Sequence, residues 1–334
     1  MNRQIQSDVN KANLETEGRP SRPSVVARNK QNQLAKRTFF IITLLPMILI
    51  LAITIVLAVR SWPILSTYSP KDLFLGSTWR PDNGLFGFWP YITGTFWVTI
   101  VGVLLAVPPC LLTALYLSEY SRSFTRSIAK PILDLLAAIP PVVYGVWGLL
   151  AIVPFVEDVL APFSKRWLSF ISFFRVNQPT GFSIIAGSIV LAVMIAPLII
   201  SVVYEILRTV PDDLRHASLA VGATQWQTIR QIVIPRVIPG MVAAVVLAAS
   251  RALGETMAVL MVVGNVAQVP KSIFDAGYPL PALIANNYGD MMSIPLYDAA
   301  LLCAALILLI LILIFNILST LVLQRMLGKN RAWA

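Results

Sequence analysis

The sequence is poor in the residues that build most active sites. It has one histidine, His216, and two cysteines, Cys110 and Cys303, each inside an apolar run. Two such cysteines make neither a disulfide framework nor a metal site, and one histidine cannot assemble a histidine metal cluster. Only 13% of the residues are charged, about half the share of an ordinary soluble domain. No Gly-x-x-x-x-Gly-Lys-Ser/Thr loop occurs anywhere, so the chain carries no phosphate-cradling ATP site of that kind. The net charge of +10 does not indicate nucleic acid, because the basic residues lie between long apolar runs rather than on one compact face.

What is present is apolar length. Hydrophobic residues make up 57% of the 334, too many for their polar partners to cover in water, which points to a lipid bilayer. Residues 1–37 are polar and without apolar periodicity, and read as a disordered basic tail. Six apolar segments follow, near 38–59, 92–118, 131–153, 181–204, 237–263 and 297–323, each close to the roughly 20 residues that cross a bilayer. The first is too long for a signal-peptide core and has no small-residue cleavage site behind it, so it reads as a retained helix. The expected fold is an all-α membrane protein of six helices, 38–323, with a short tail at 324–334.

Orientation comes from Lys and Arg. With the N-terminus inside, eighteen fall on the inner side, seven on the outer, and Arg251 within a span. This asymmetry places both termini in the cytoplasm. The outer loops are rich in Pro, Gly and aromatics, and 157–175 reads either as an interfacial helix or as a plain loop.

The inner loop 205–236 has its own pattern. Pro211-Asp212-Asp213 suits a helix start, with acids at the positive end. Gly222 stops that helix, and Thr224 to Ile234 form a second, ended by Pro235. The loop therefore reads as a rigid knob. In span five, Arg251 and Glu255 lie four residues apart on one helix face and can pair. Each charge at mid-bilayer costs about 2.5–3.5 kcal/mol, so both should meet a pore or a partner. Two roles stand open: an ion pair that fixes packing, or a route for an anion. Asp134 reads as solvated at the membrane edge, Pro140 and Pro141 as a kink in span three, and Tyr144 and Thr256 as either oxyanion donors or packing residues.

At these residues a family resemblance becomes specific. His216-Ala217-Ser218, Gly222, Ile232, Ile234 and Pro235 resemble, at every spacing, the loop motif of ABC importer permeases. That motif reads Glu-Ala-Ala, three residues, Gly, nine residues, Ile, one residue, Leu, Pro. His216 stands for Glu, Ser218 for Ala and Ile234 for Leu. The stretches RALGETMAVLMVVGN (251–265), IPPVVYGVWG (139–148) and SIFDAGYPLPALIANN (272–287) are similar to the PstC-type permeases of phosphate importers.

The resemblance implies a type I ABC importer permease core in the cell inner membrane, with no catalytic residue, metal or cofactor of its own. It implies that the 205–236 loop is a coupling loop docking in a groove on an ATPase subunit, one of two ATP-binding subunits that use the ATP. The other partners implied are a sister permease and a periplasmic or extracellular phosphate-binding protein. Arg251, Glu255, Thr256 and Tyr144 then become candidates for the substrate pathway. Sulfate or molybdate as substrate, a secondary carrier, and a phosphate-sensing component remain as alternatives. Against a carrier, no half-to-half repeat is visible.

Overall fold

Prolines mark some helix ends and lie inside other helices. The structure, a computed structural model, describes residues 25–177, 180–289 and 294–330. The chain divides into two units, Met1–Val56 and Leu57–Ala334. Most of the expected tail, residues 1–24, lies outside the described residues. Residues 25–37, expected to be disordered, are already helical.

Helix α1 spans Val25–Thr67. Its residues in the first unit present apolar side chains such as Phe39, Ile42 and Leu49 outward. The hydroxyls of Thr38, Thr43 and Thr54 donate to the carbonyls of Leu34, Phe39 and Ile50 one turn back. A hydroxyl bonded to its own helix can sit in hydrocarbon without an unpaired donor.

In the second unit follow α2 (Pro70–Leu75), a two-stranded antiparallel hairpin of β1 (Trp79–Arg80) and β2 (Leu85–Phe86), and α3 (Trp89–Glu119). Next come α4 (Ser123–Ala138), α5 (Pro141–Trp167), α6 (Ile184–Arg208), α7 (Asp212–Ala220) and α8 (Gln225–Leu253). The last are α9 (Met257–Leu260), α10 (Leu280–Asn287) and α11 (Tyr297–Asn330). Six helices are long and apolar enough to cross a membrane, as expected: those within α1, α3, α5, α6, α8 and α11.

Two spans differ from the sequence reading. The third was expected at 131–153, kinked at Pro140 and Pro141. Instead α4 ends at Ala138, Ile139 and Pro140 are extended, and α5 crosses alone from Pro141 to Trp167. A residue before proline avoids helical backbone, and Ile139 takes that extended form here, although α3 continues through its own pair Pro108-Pro109. Residues 157–167 consequently belong to the span; only 168–175 form the turn that follows it.

The other difference is Pro235, expected to end a helix. The helix instead runs through it from Gln225 to Leu253. A π-turn at Ile229–Val233 precedes Pro235 by two residues. The same arrangement recurs in α5, where π-turns Gly148–Ile152 and Val156–Leu160 precede Pro154 and Pro162. The wider turn makes room for the ring and re-routes the carbonyl that proline leaves without a donor. Helices α3 and α6 run through Pro108, Pro109 and Pro197 without a π-turn, whereas at Pro140 and Pro141 the chain turns extended and the helix breaks.

The core is the α3–α6 interface, built on Val98, Val190, Leu191, Ile195, Ile199 and Val203. A Cβ on Gly102 would lie 3.1 Å from Leu191, so the two helices meet at close range there. Ser188 Oγ donates to the Val98 carbonyl at 3.1 Å. Small residues and one interhelical hydrogen bond are the usual means of holding helices together in lipid, where the hydrophobic effect gives little help. Contacts 98–188 and 102–191 rise together along both helices, so α3 and α6 run parallel, as second and fourth spans must. A second cluster (Ile64, Phe86, Phe88, Tyr91, Leu283, Tyr297) closes the opposite end from the loop α7.

Candidate functional site

Two places gather the residues singled out by sequence: the loop α7–α8 and a gap in the fifth span.

The loop is a knob with an internal brace. Helix α7 starts at Asp212 and ends before Gly222, whose φ of +87° reverses the chain. Thr224 then caps α8 by a reciprocal box: its hydroxyl accepts from the Gln227 N–H, and the Gln227 side chain accepts from the Thr224 N–H. Ser218, buried, shares a 2.9 Å hydrogen bond with Thr228, which pins α7 against α8. His216, Ala217 and Pro235 are exposed, while Ile232 and Ile234 are half-buried. Thus only part of the seven-residue motif is free to meet a partner; Ser218 is spent inside the knob. Leu219, Val221 and Trp226 add exposed apolar surface, with Val221 at the tip 85% exposed.

The brace itself was not anticipated. Arg215 Nη2 lies 3.1 Å from Glu119 Oε1, with the two side chains only 16% and 7% exposed. The same guanidinium donates to the carbonyls of Leu207 and Val210 and to Asp212. Gln225 Nε2 donates to the Glu119 carbonyl at 2.7 Å. One arginine therefore joins α7 to the ends of α3 and α6, and satisfies α6 carbonyls that have no helical donor. The available signal was Glu119 itself. An acid in the last turn of a helix opposes the macrodipole and calls for a nearby cation. Arg126 supports the same region through the Ser118 carbonyl, and Lys130 pairs with Glu205 at 2.5 Å. That pair, more than half exposed, holds the Lys130 ammonium above its ordinary pKa by hydrogen bond and charge and adds little stability.

In the fifth span the geometry departs from the expected continuous helix. Helix α8 ends at Leu253, Gly254 caps it, and α9 begins after Thr256. Arg251 and Glu255 therefore do not share a helix face. Among the described residues the ion pairs are Lys130–Glu205, Arg215–Glu119 and Arg215–Asp212; Arg251–Glu255 is not one of them. Each charge is instead settled by backbone. Arg251 is in the last turn of α8, where a cation is favoured. Glu255 Oε1 accepts from the N–H groups of Thr256 (3.1 Å) and Ala258 (3.4 Å), capping α9. The Thr256 hydroxyl is bonded to the Gly254 carbonyl. The Arg251 guanidinium is exposed and makes no hydrogen bond or ion pair among the described residues.

The gap faces the first turns of α5. At Gly145 a Cβ would stand 3.2 Å from Ala258 Cα and 3.3 Å from the Met257 carbonyl, so α5 and α9 meet backbone to backbone. Tyr144 beside it donates to the Leu136 carbonyl at 2.8 Å, bridging the Pro140 break and capping α4. The structure thus brings Arg251, Glu255, Thr256 and Tyr144 to the region where α5 begins beside the interrupted fifth span. Of these, only Arg251 has an uncommitted polar head. No group of three or more metal-ligating side chains occurs among the described residues.

Comparison with known proteins gives the family and the fold. Residues 110–328 match the family model described as "Binding-protein-dependent transport system inner membrane component". The "Probable ABC transporter permease protein YqgH" of Bacillus subtilis is 35% identical over 80% of this chain and 82% of its own length. The "Phosphate transport system permease protein PstC" of Haemophilus influenzae is 32% identical over 88% of this chain and 93% of its own. Among solved structures, a bacterial ABC transporter that imports the acidic polysaccharide alginate superposes with a TM-score of 0.57 at 16% identity. It covers 89% of this chain and 99% of the matched one, a likeness of fold.

Proposed function

Since the chain belongs to the family of binding-protein-dependent transport system inner membrane components, we propose that its task is to pass inorganic phosphate through the inner membrane as the permease subunit of an ABC importer. It is a multi-pass transport subunit and not an enzyme. The PstC relatives supply the substrate class, and the observation that carries the site is Arg251, exposed in the last turn of α8 and without a hydrogen bond or ion pair among the described residues. A cation at that depth is costly unless it faces water, an anion or a partner.

The rest of the proposal follows from connectivity. Helix α8 is continuous from Gln225 in the knob to Leu253 at the gap, a lever of about 44 Å at 1.5 Å per residue. Displacement of the knob is passed along one rigid helix to Arg251. The Arg215 brace passes the same displacement to α3 and α6. In this reading one of two separate ATP-binding subunits seats on the exposed surface around His216, Ala217 and Val221, and the two hydrolyse the ATP. A sister permease completes the pore, and a phosphate-binding protein delivers the anion at the far end. Both termini lie in the cytoplasm, and the chain itself binds no cofactor.

The test is radiolabelled phosphate uptake at scarce external phosphate, in cells with other phosphate systems removed, with and without this chain. Uptake lost with the chain and restored by it supports the proposal. Unchanged uptake rejects phosphate as the substrate.

A further inference from the structure

Span six carries a polar residue that neither the coupling loop nor the Arg251 gap accounts for. Asn316 lies well inside the apolar helix α11 and is exposed on its surface. Its Oδ1 accepts a 2.7 Å hydrogen bond from Ser250 Oγ, one residue before Arg251. One turn along, a Cβ on Gly254 would meet Ile312 of α11 at 4.0 Å. The pairs 250–316 and 254–312 fix α8 and α11 as antiparallel neighbours and set Asn316 beside the last turn of α8. That is the turn that carries Arg251. An amide whose oxygen is taken by a hydroxyl keeps both N–H donors free. The Asn316 amide nitrogen makes no hydrogen bond among the described residues. An exposed, half-satisfied amide is disfavoured against lipid tails, so this face of α11 turns to a polar space.

We propose that Asn316 lines the anion pathway beside Arg251 and donates an amide hydrogen bond to the passing oxyanion, with Ser250 fixing the amide's orientation. The assignment rests on the phosphate-permease reading above. Arg251 supplies charge without geometry; Asn316 supplies a directed donor. A directed donor separates a tetrahedral oxyanion from a spherical halide, which charge alone does not.

Asn316→Asp separates this role from a mere helix-to-helix bond. The carboxylate still accepts from Ser250, but the donor is gone and a like charge faces the substrate. In cells expressing the whole importer, with assembled complex in the membrane quantified, N316D is expected to lower phosphate uptake at limiting phosphate by about tenfold or more, the size of a lost hydrogen bond to a charged group. Ser250→Ala, which frees the amide but keeps it, is expected to lower uptake by less than about fivefold. Uptake by N316D equal to wild type, or a fall in S250A as large as in N316D, overturns the assignment. Where N316D does not assemble, Asn316→Ser against Asn316→Ala decides. Serine retains a donor and should exceed alanine; equal uptake by the two rejects the role. If Arg251→Gln abolishes uptake while Asn316 variants do not, only this inference falls. If wild-type uptake does not depend on the chain, the phosphate reading itself falls.

Discussion

Arg215 and Glu119, 96 residues apart in sequence, stand 3.1 Å apart and largely buried where the loop helix meets the end of the second span. The pair converts a short surface helix into part of the transmembrane body. Breaking such a pair from one side leaves a buried charge, at a cost of about 3–5 kcal/mol. Arg215→Ala should therefore lower the melting temperature of the purified complex and uncouple ATP hydrolysis from uptake. Arg215→Ala with Glu119→Ala should recover part of the lost stability. A double variant no more stable than the single one contradicts the brace.

Gly222 shows what a motif glycine is for. Its φ is +87°, and no atom lies within 4 Å of a built Cβ. The demand is on backbone conformation alone, since space is free. Asparagine tolerates left-handed backbone far better than a β-branched residue. Gly222→Asn should retain most uptake, and Gly222→Val should lose it. Similar losses in both, at equal expression, would mean that the glycine is needed for close approach of a partner instead.

At Gly145 the demand is the opposite one. A Cβ would press on the Ala258 and Met257 backbone and, at 2.7 Å, on the Met261 sulfur. The thioether can move; the backbone of α9 cannot do so without shifting the gap. Gly145→Val should reduce uptake at least about tenfold while the protein still inserts, since overpacking costs about 1–3 kcal/mol and its strain falls on the gap. Membrane levels and uptake, measured together, check this.

Glu255 is read as a cap. Glu255→Gln keeps an acceptor for the Thr256 and Ala258 N–H groups, whereas Glu255→Ala removes it at about 0.5–2 kcal/mol. Stability should follow Ala below Gln, with Gln near wild type. A Gln variant as unstable as Ala would show that the charge, rather than the acceptor, holds the gap.

The six spans were legible because apolar length is a local property, and the knob because Pro211, Gly222 and Thr224 punctuate it. What escaped the sequence depends on neighbours. Pro140-Pro141, Pro108-Pro109 and Pro235 look alike as helix breakers, yet only the first pair breaks a helix; Pro235 follows a π-turn and Pro108-Pro109 lie inside α3. The apolar run through 237–263 hides the gap at Gly254, since hydropathy does not register hydrogen bonding. For the same reason Arg251 and Glu255, four apart, were expected on one face; the break sends them to different helices. Glu119–Arg215 and Ser250–Asn316 are long-range pairings with no local trace.

The central claim is that Arg251 is held unpaired in order to meet an anion. Its most direct test is Arg251→Gln in the whole importer, with radiolabelled phosphate uptake measured against the amount of assembled complex in the membrane. The account predicts normal assembly and uptake at background. Uptake near the wild-type level, or loss of uptake only because the complex fails to assemble, would contradict it.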